Sequence, residues 1–278
     1  MTHFPLGPDK VQMQLTFDFF LRQIATVERT LWTLTFAAQL VLLVVLFGRD
    51  RARRYPWFTA GIALYALRMM AEVLLSGRMA KLPFSFTLLS LGDLAAIVGL
   101  LVLVEMARAA FAGVQRSICI VNSAGLLLLA GGLLSVMGPW PVWKQLATWD
   151  PTIIKLVVMQ LAAQKGELLV ALLTMGLGLL VMLFGRHYKA GWRSHTQSIV
   201  IGLFALAVAL LAYEAVILCT FHYTPTEAAG VMRLRFYFAF ARELVFLAAL
   251  VWWIVWLWRD EPGAAEPALQ EETPQAAE

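Results

Sequence analysis

Residues 58–76 read Phe58-Thr59-Ala60-Gly61-Ile62-Ala63-Leu64-Tyr65-Ala66-Leu67-Arg68-Met69-Met70-Ala71-Glu72-Val73-Leu74-Leu75-Ser76. The run approaches the roughly 20 apolar residues that cross a bilayer, yet it holds an arginine and a glutamate in its interior. Charge inside a span is costly, which makes such residues functional candidates by default. Working outward, apolar runs recur at about 31–48, 58–76, 84–105, 117–138, 166–185, 197–221 and 236–258. Lipid offers backbone groups no partner, so each run is expected to be a helix. The sequence thus predicts an all-α integral membrane protein, a seven-transmembrane-helix bundle spanning residues 31–258.

Composition agrees. The chain has 278 residues, of which 14% are charged, where a soluble domain carries about 25%. Little chain is left over for a separate soluble domain. The net charge of +4 is accounted for by loop arginines and calls for no nucleic-acid partner. Cys119 and Cys219 fall in apolar runs and read as small packing residues rather than a disulfide or metal framework.

Three short basic loops share one side: Arg49, Arg51, Arg53 and Arg54; Arg108 and Arg116; and Arg186, Lys189 and Arg193. The positive-inside rule makes that side cytoplasmic, which places the chain N-out and C-in, multi-pass in the membrane. The basic residues of the opposite side are as numerous but spread over longer segments. The arginine loops are expected to meet anionic headgroups. Trp57, Trp192, Trp252, Trp253, Trp256 and Trp258 read as anchors at the cytoplasmic interface, and Trp140, Trp143 and Trp149 at the outer one.

Residues 1–30 form an extracytoplasmic N-terminal segment. Met1 to Lys10 shows no cationic start with a short apolar core, so the first span is expected to serve as its own insertion signal. Over 13–30, Phe17, Phe20, Ile24 and Val27 share a helical face opposite Asp18, Arg22 and Arg29. That is either an interfacial amphipathic helix or an outward extension of the first span. Asp150-Pro151 is an acidic cap followed by proline, a helix start, and it opens a largely apolar run, Ile153 to Ala163, that either lies at the outer interface or lengthens the fifth helix. Residues 259–278 are expected to be a disordered acidic cytoplasmic tail.

The intramembrane charges are Arg68, Glu72, Asp93, Glu214, Arg242 and Glu243. At about 1.5 Å per residue they fall between the midplane and the outer surface. Thr87, Ser90 and Asp93 form a polar stripe on the third span, Glu167 stands near the outer mouth of the fifth, and Glu105 is expected to be solvated at the cytoplasmic boundary. Two cations against four carboxylates cannot pair completely unless protons, water or a bound cation intervene. Three readings follow: interhelical ion pairs such as Arg68–Glu72 and Arg242 with Asp93 or Glu214, an outward-open polar pocket for a small ligand or ion, or a proton relay. The relay lacks charged stepping stones in the inner half.

Several chemistries lack their residues. The seventh span has no lysine for a retinal Schiff base. The histidines are His3, His187, His195 and His222, none of them mid-span, so paired haem ligands and a zinc set are missing. His187 and His195 read as headgroup contacts. No histidine is placed to activate Ser123, and there is no phosphate loop. No catalytic residue, cofactor or metal is expected. Gly125, Gly131, Gly132, Gly176 and Gly178 are the small residues of close helix contacts or hinges. No internal repeat of the transporter kind is visible.

Leu31-Trp32 opening the first span, the arginine-rich loop ending in Pro56, and Gly191-Trp192-Arg193-Ser194-His195 before the sixth resemble a family of uncharacterised bacterial seven-transmembrane-helix proteins. The layout is also similar to bacterial seven-helix sensor modules, which are followed by an output domain; here a partner protein would supply it. The resemblance implies a bacterial inner membrane and carries no assigned activity; the six charges, read as an outer-half pocket, point to a ligand-sensing or accessory membrane subunit. A small secondary transporter and a structural subunit of a membrane complex are the alternatives.

Overall fold

The computed structural model describes residues 8–111, 116–136, 149–184, 195–220 and 228–260, with side chains described over 27–111, 125–135, 149–183, 195–220 and 230–260. The helices are α1 Pro8–Gly48, α2 Arg51–Arg54, α3 Pro56–Leu75, α4 Lys81–Ala110, α5 Arg116–Val136, α6 Pro151–Phe184, α7 His195–Cys219 and α8 Ala228–Trp258. No strand occurs among the described residues. Six helices are long and apolar enough to cross a membrane: Val27–Gly48 of α1, α3, α4, Pro151–Leu183 of α6, α7, and Gly230–Trp258 of α8. Large apolar side chains cover the outside, Leu128 being 78% and Val44 69% exposed. Such a surface suits lipid and would drive aggregation in water.

Helix starts and stops follow local chemistry. Asp50 takes a left-handed φ of 54° at the turn after α1, a conformation that aspartate tolerates better than most residues. Pro56 opens α3 at its first turn, but Tyr55 before it offers no side-chain cap. The cap comes from another helix. The Glu105 carboxylate of α4 accepts the backbone N–H groups of Trp57 at 3.3 Å and Phe58 at 2.9 Å, satisfying two orphan donors of the first turn. Gly77, with φ +74°, closes the turn to α4. At α6, Asp150 accepts the Thr152 N–H at 2.7 Å, and that bond holds its carboxyl below the usual carboxylate range. The stabilisation is therefore present above the ordinary pKa and lost as pH falls through the lowered one.

The chain reverses direction between successive long helices. Helices α1, α3, α4, α6, α7 and α8 each pack on the next, and α8 closes on α1 to complete a six-helix ring. Helix α5 lies outside it against α6, where Leu126 meets Gly176 and Ala130 packs with Leu172 and Leu173.

One end of the ring is packed solid. Leu42, Val45 and Leu46 of α1 meet Phe58 and Ile62 of α3, Val98, Val102 and Met106 of α4, Leu177 and Val181 of α6, Ile199 and Val200 of α7, and Leu250, Trp253 and Leu257 of α8. This is the end that carries the arginine-rich turn. The Arg49 guanidinium lies 4.9 Å over the Trp258 ring and 3.2 Å from Asp260, while Tyr55 and Thr196 share a buried hydroxyl–hydroxyl bond of 2.9 Å.

Glycine sets how closely the helices approach. Gly202 of α7 lies against the indole of Trp253, with no room for a Cβ. That proximity lets the Trp253 indole N–H reach the Ser198 carbonyl at 3.2 Å, an oxygen that also accepts from Trp252 at 3.1 Å. Phe58 meets Trp253 edge-on at a centroid distance of 5.0 Å, a favoured aromatic geometry. Gly178 similarly receives Phe204. Between α4 and α6, Gly92 faces Ala163, Ala96 faces Gly166 and Gly99 faces Val170, a seam of small residues of the kind that joins membrane helices.

These contacts correct parts of the sequence reading. Trp253 is 1% exposed and belongs to the core, not to an interfacial belt. His195 is buried rather than facing headgroups. Glu105 is a helix cap rather than a solvated boundary residue. Helix α1 runs unbroken from Pro8, so 13–30 extends the first span, and α6 begins at Pro151, so the run opened by Asp150-Pro151 lengthens the fifth span. Cys219 is free and exposed at the end of α7. The expectations for the amphipathic face of 13–26, for Arg116, Cys119, Ser123, Trp140, Trp143, Arg186, His187, Lys189, Trp192, Arg193 and His222, and for the tail beyond Asp260 lie outside the residues whose side chains are described.

Two outcomes check this packing. Gly202→Val pushes the Trp253 indole off Ser198 and is expected to cost about 1–3 kcal/mol by overpacking, read as a lower unfolding temperature in detergent together with a red-shifted tryptophan emission. Glu105→Ala leaves the first turn of α3 uncapped and is expected to cost about 1–2 kcal/mol, with Glu105→Gln retaining part of the difference.

Candidate functional site

Opposite the packed end, the ring opens. A cleft of about 320 Å³ lies among α3, α4 and α6. From α3 come Tyr65 and Arg68, one turn apart. Helix α4 supplies small side chains, Gly92, Ala95, Ala96 and Gly99, below Leu88 and Leu89. Helix α6 presents Gln160, Ala163, Gln164, Glu167 and Val170, spaced at three and four residues along a single face. The cleft exists because α4 lines it with glycine and alanine, so the longer polar side chains of α3 and α6 face each other across an open space.

Tyr65 packs against Phe246 of α8 at a centroid distance of 5.9 Å, so the cleft looks into the ring rather than out to lipid. The charges of the other helices act on the same space. Glu167 interacts electrostatically with Arg242, Glu214 and Tyr65, and Glu214 also with Lys165. The Arg242 guanidinium donates to Glu243 at 3.0 Å and lies 5.3 Å over the Tyr213 ring. Two turns earlier on α8, Arg235 donates to the Thr220 hydroxyl at 2.9 Å and to its carbonyl at 3.1 Å, capping the end of α7.

The six residues singled out in the sequence do not form one group. Arg68 lines the cleft, and Glu214, Arg242 and Glu243 stand on the α7 and α8 side of it. Glu72 is exposed and forms no salt bridge with Arg68 among the described residues. Asp93 is half-buried on another face of α4 and does not line the cleft. Its companions in the stripe are satisfied by their own helix, Thr87 donating to the Pro83 carbonyl at 2.9 Å and Ser90 to that of Phe86 at 2.8 Å.

The sequence reading passed over Tyr65, Gln160, Gln164 and Lys165, and left Glu167 outside the group. The signal is their spacing: Gln160, Gln164 and Glu167 recur at four and three residues, but the glutamines are uncharged and precede a fifth span counted from 166. Around the cleft, Arg68, Lys165 and Arg242 stand with Glu167, Glu214 and Glu243.

The charges also divide by engagement. Arg242 has a carboxylate and an aromatic face, and Lys165 is buried beside Glu214. Arg68 and Glu167 are exposed to the cleft, and neither forms a salt bridge or hydrogen bond among the described residues. No group of histidine, cysteine and carboxylate side chains among the described residues could hold a metal ion.

Comparison of the chain with protein-family models, with curated proteins and with solved structures found no match in any of the three.

Paired and unpaired cations should respond differently to truncation. Arg242→Ala removes an ion pair and a cation–π contact inside the ring and is expected to cost about 1–2 kcal/mol. Arg68→Ala is expected to change stability by less than about 0.5 kcal/mol. Thermal unfolding of the two ligand-free variants in one detergent makes the comparison.

Proposed function

We propose that this chain is a multi-pass membrane protein that binds a small polar ligand in the cleft between α3, α4 and α6 and acts as a ligand-sensing or accessory subunit. One observation supports this reading above others: charged and polar side chains gather at one end of the ring, while the other end is filled by the core around Trp253, Leu46 and Met106. A receptor needs a pocket with one mouth, whereas a carrier must also open a route to the other side by rocking its helices, which would require this core to come apart.

In this reading α5, with 21 apolar-rich residues, is the seventh span, long enough at about 1.5 Å per residue to cross the hydrocarbon core. The arginine-rich turn at Arg49, Arg51, Arg53 and Arg54 lies in the cytoplasm, following the positive-inside rule. The N-terminus is then outside, the C-terminus inside, and the cleft opens outward from a bacterial inner membrane. The arginines meet anionic headgroups, and the ligand signal passes to a membrane or signalling partner through the cytoplasmic ends of the helices.

The test pairs binding with flux. Purified protein is heated with a library of small polar compounds, and any protector is offered to proteoliposomes. The expected result is a raised unfolding temperature for wild type, none for Arg68→Gln, and no accumulation beyond empty liposomes. Accumulation would make the protein a transporter. No protection by any compound, together with a large destabilisation by Arg68→Ala, would reduce the charges to packing ion pairs.

A further inference from the structure

We infer that the ligand of the cleft is a small zwitterion of the amino-acid kind, its carboxylate held by Arg68 and its ammonium by Glu167. This inference rests on the reading of the cleft as a binding pocket and adds the chemistry of what enters it.

The cleft presents one cation and one carboxylate from different helices, α3 and α6, and the two do not form a salt bridge with each other. Opposite charges that share a cavity without closing on each other leave both ends of a bridge vacant. An arginine fork matches a carboxylate in two parallel hydrogen bonds, and a glutamate accepts from an ammonium. A ligand carrying both groups satisfies each wall in one step. A simple anion would meet the Glu167 carboxylate, and a simple cation would meet the Arg68 guanidinium.

The surroundings favour the same class. The cleft lining itself carries one cation and one carboxylate, Arg68 and Glu167, so the space has no net preference for an ion of one sign and favours a molecule that is neutral overall but polar at its ends. Gln160 and Gln164 stand one turn apart on α6 beside Glu167, and each carboxamide can both donate and accept. At about 320 Å³ the cleft sits at the small end of the usual range of ligand pockets. Its volume and its apolar rim of Leu88, Leu89 and Val170 suit a short aliphatic side chain rather than a large ring.

Of the other cations, Arg242 acts on Glu167 electrostatically but gives its hydrogen bond to Glu243 and its face to Tyr213, and Arg235 is held by the end of α7.

The experiment measures protection against heat and equilibrium binding in lipid nanodiscs. The probes are the standard L-amino acids, glycine betaine, and for each protecting compound its carboxamide and its N-acetyl derivative. The expected result is saturable binding of at least one short-chain zwitterion, with the carboxamide and the N-acetyl derivative each at least roughly thirtyfold weaker. Arg68→Gln and Glu167→Gln should each lose a similar factor while keeping the ligand-free unfolding temperature of wild type. If either variant fails to fold, Gln164→Ala takes its place, with a smaller loss of affinity expected.

A derivative with one charge blocked that binds as tightly as its parent overturns the inference and leaves the pocket reading standing. So does binding of a singly charged compound from the wider library when no zwitterion binds. If no compound of any charge binds, both readings fall.

Discussion

In a bilayer, burying leucine against leucine gains little over leaving it against lipid tails, so helices associate through close contact and through polar groups that have nowhere else to go. The contact of Gly202 with Trp253 is where this bundle meets that constraint most clearly. Removing a Cβ from α7 lets a fully buried indole from α8 lie against its backbone, reach the Ser198 carbonyl, and present its edge to Phe58 on α3. One small residue thereby brings three helices together. The α4–α6 seam of Gly92, Ala96, Gly99 and Gly166 does the same on the other side of the ring.

The site follows from how that packing ends. Side chains at the Trp253 level fill the ring, and the small residues of α4 that allow α6 to approach leave a gap further up, where the opposing face of α6 carries Gln160, Gln164 and Glu167 instead of leucines. The same small residues that tighten one stretch of α4 line the cavity beside it. Charge is then sorted by partner. Arg242 and Arg235 are used to hold α8 in place, whereas Arg68 and Glu167 face the cleft without a bridge between them.

Much of the fold was legible in the sequence, since run length and hydropathy report directly on helices that cross lipid. What hydropathy cannot report is which side of a helix faces which neighbour. Trp253 and Trp252 are adjacent in a run of tryptophans, yet one is core and the other reaches the surface, a difference set by where Gly202 lies on α7. Glu105 looked solvated because its partners, the first N–H groups of α3, are 47 or more residues away in the chain. For the site, Arg68, Glu214, Arg242 and Glu243 stood out as charges in apolar runs, but Gln160 and Gln164 are uncharged and were lost when the fifth span was started at Gly166. Asp93 stood out equally and lies on another face. Depth along a helix can be read from sequence, but rotation about its axis depends on contacts that only the folded ring provides.

The central claim is a cavity with a single mouth, closed toward the arginine-rich end. It is tested most directly with single cysteines in a background where Cys119 and Cys219 are serine, using an impermeant thiol reagent applied separately to each side of sealed vesicles. The account predicts that Gln164→Cys is modified only from the side opposite Arg49, Arg51, Arg53 and Arg54, and that Leu250→Cys, in the packed core, is modified from neither. Modification of Gln164→Cys from both sides, or of Leu250→Cys from either, would reveal a continuous aqueous path and contradict it.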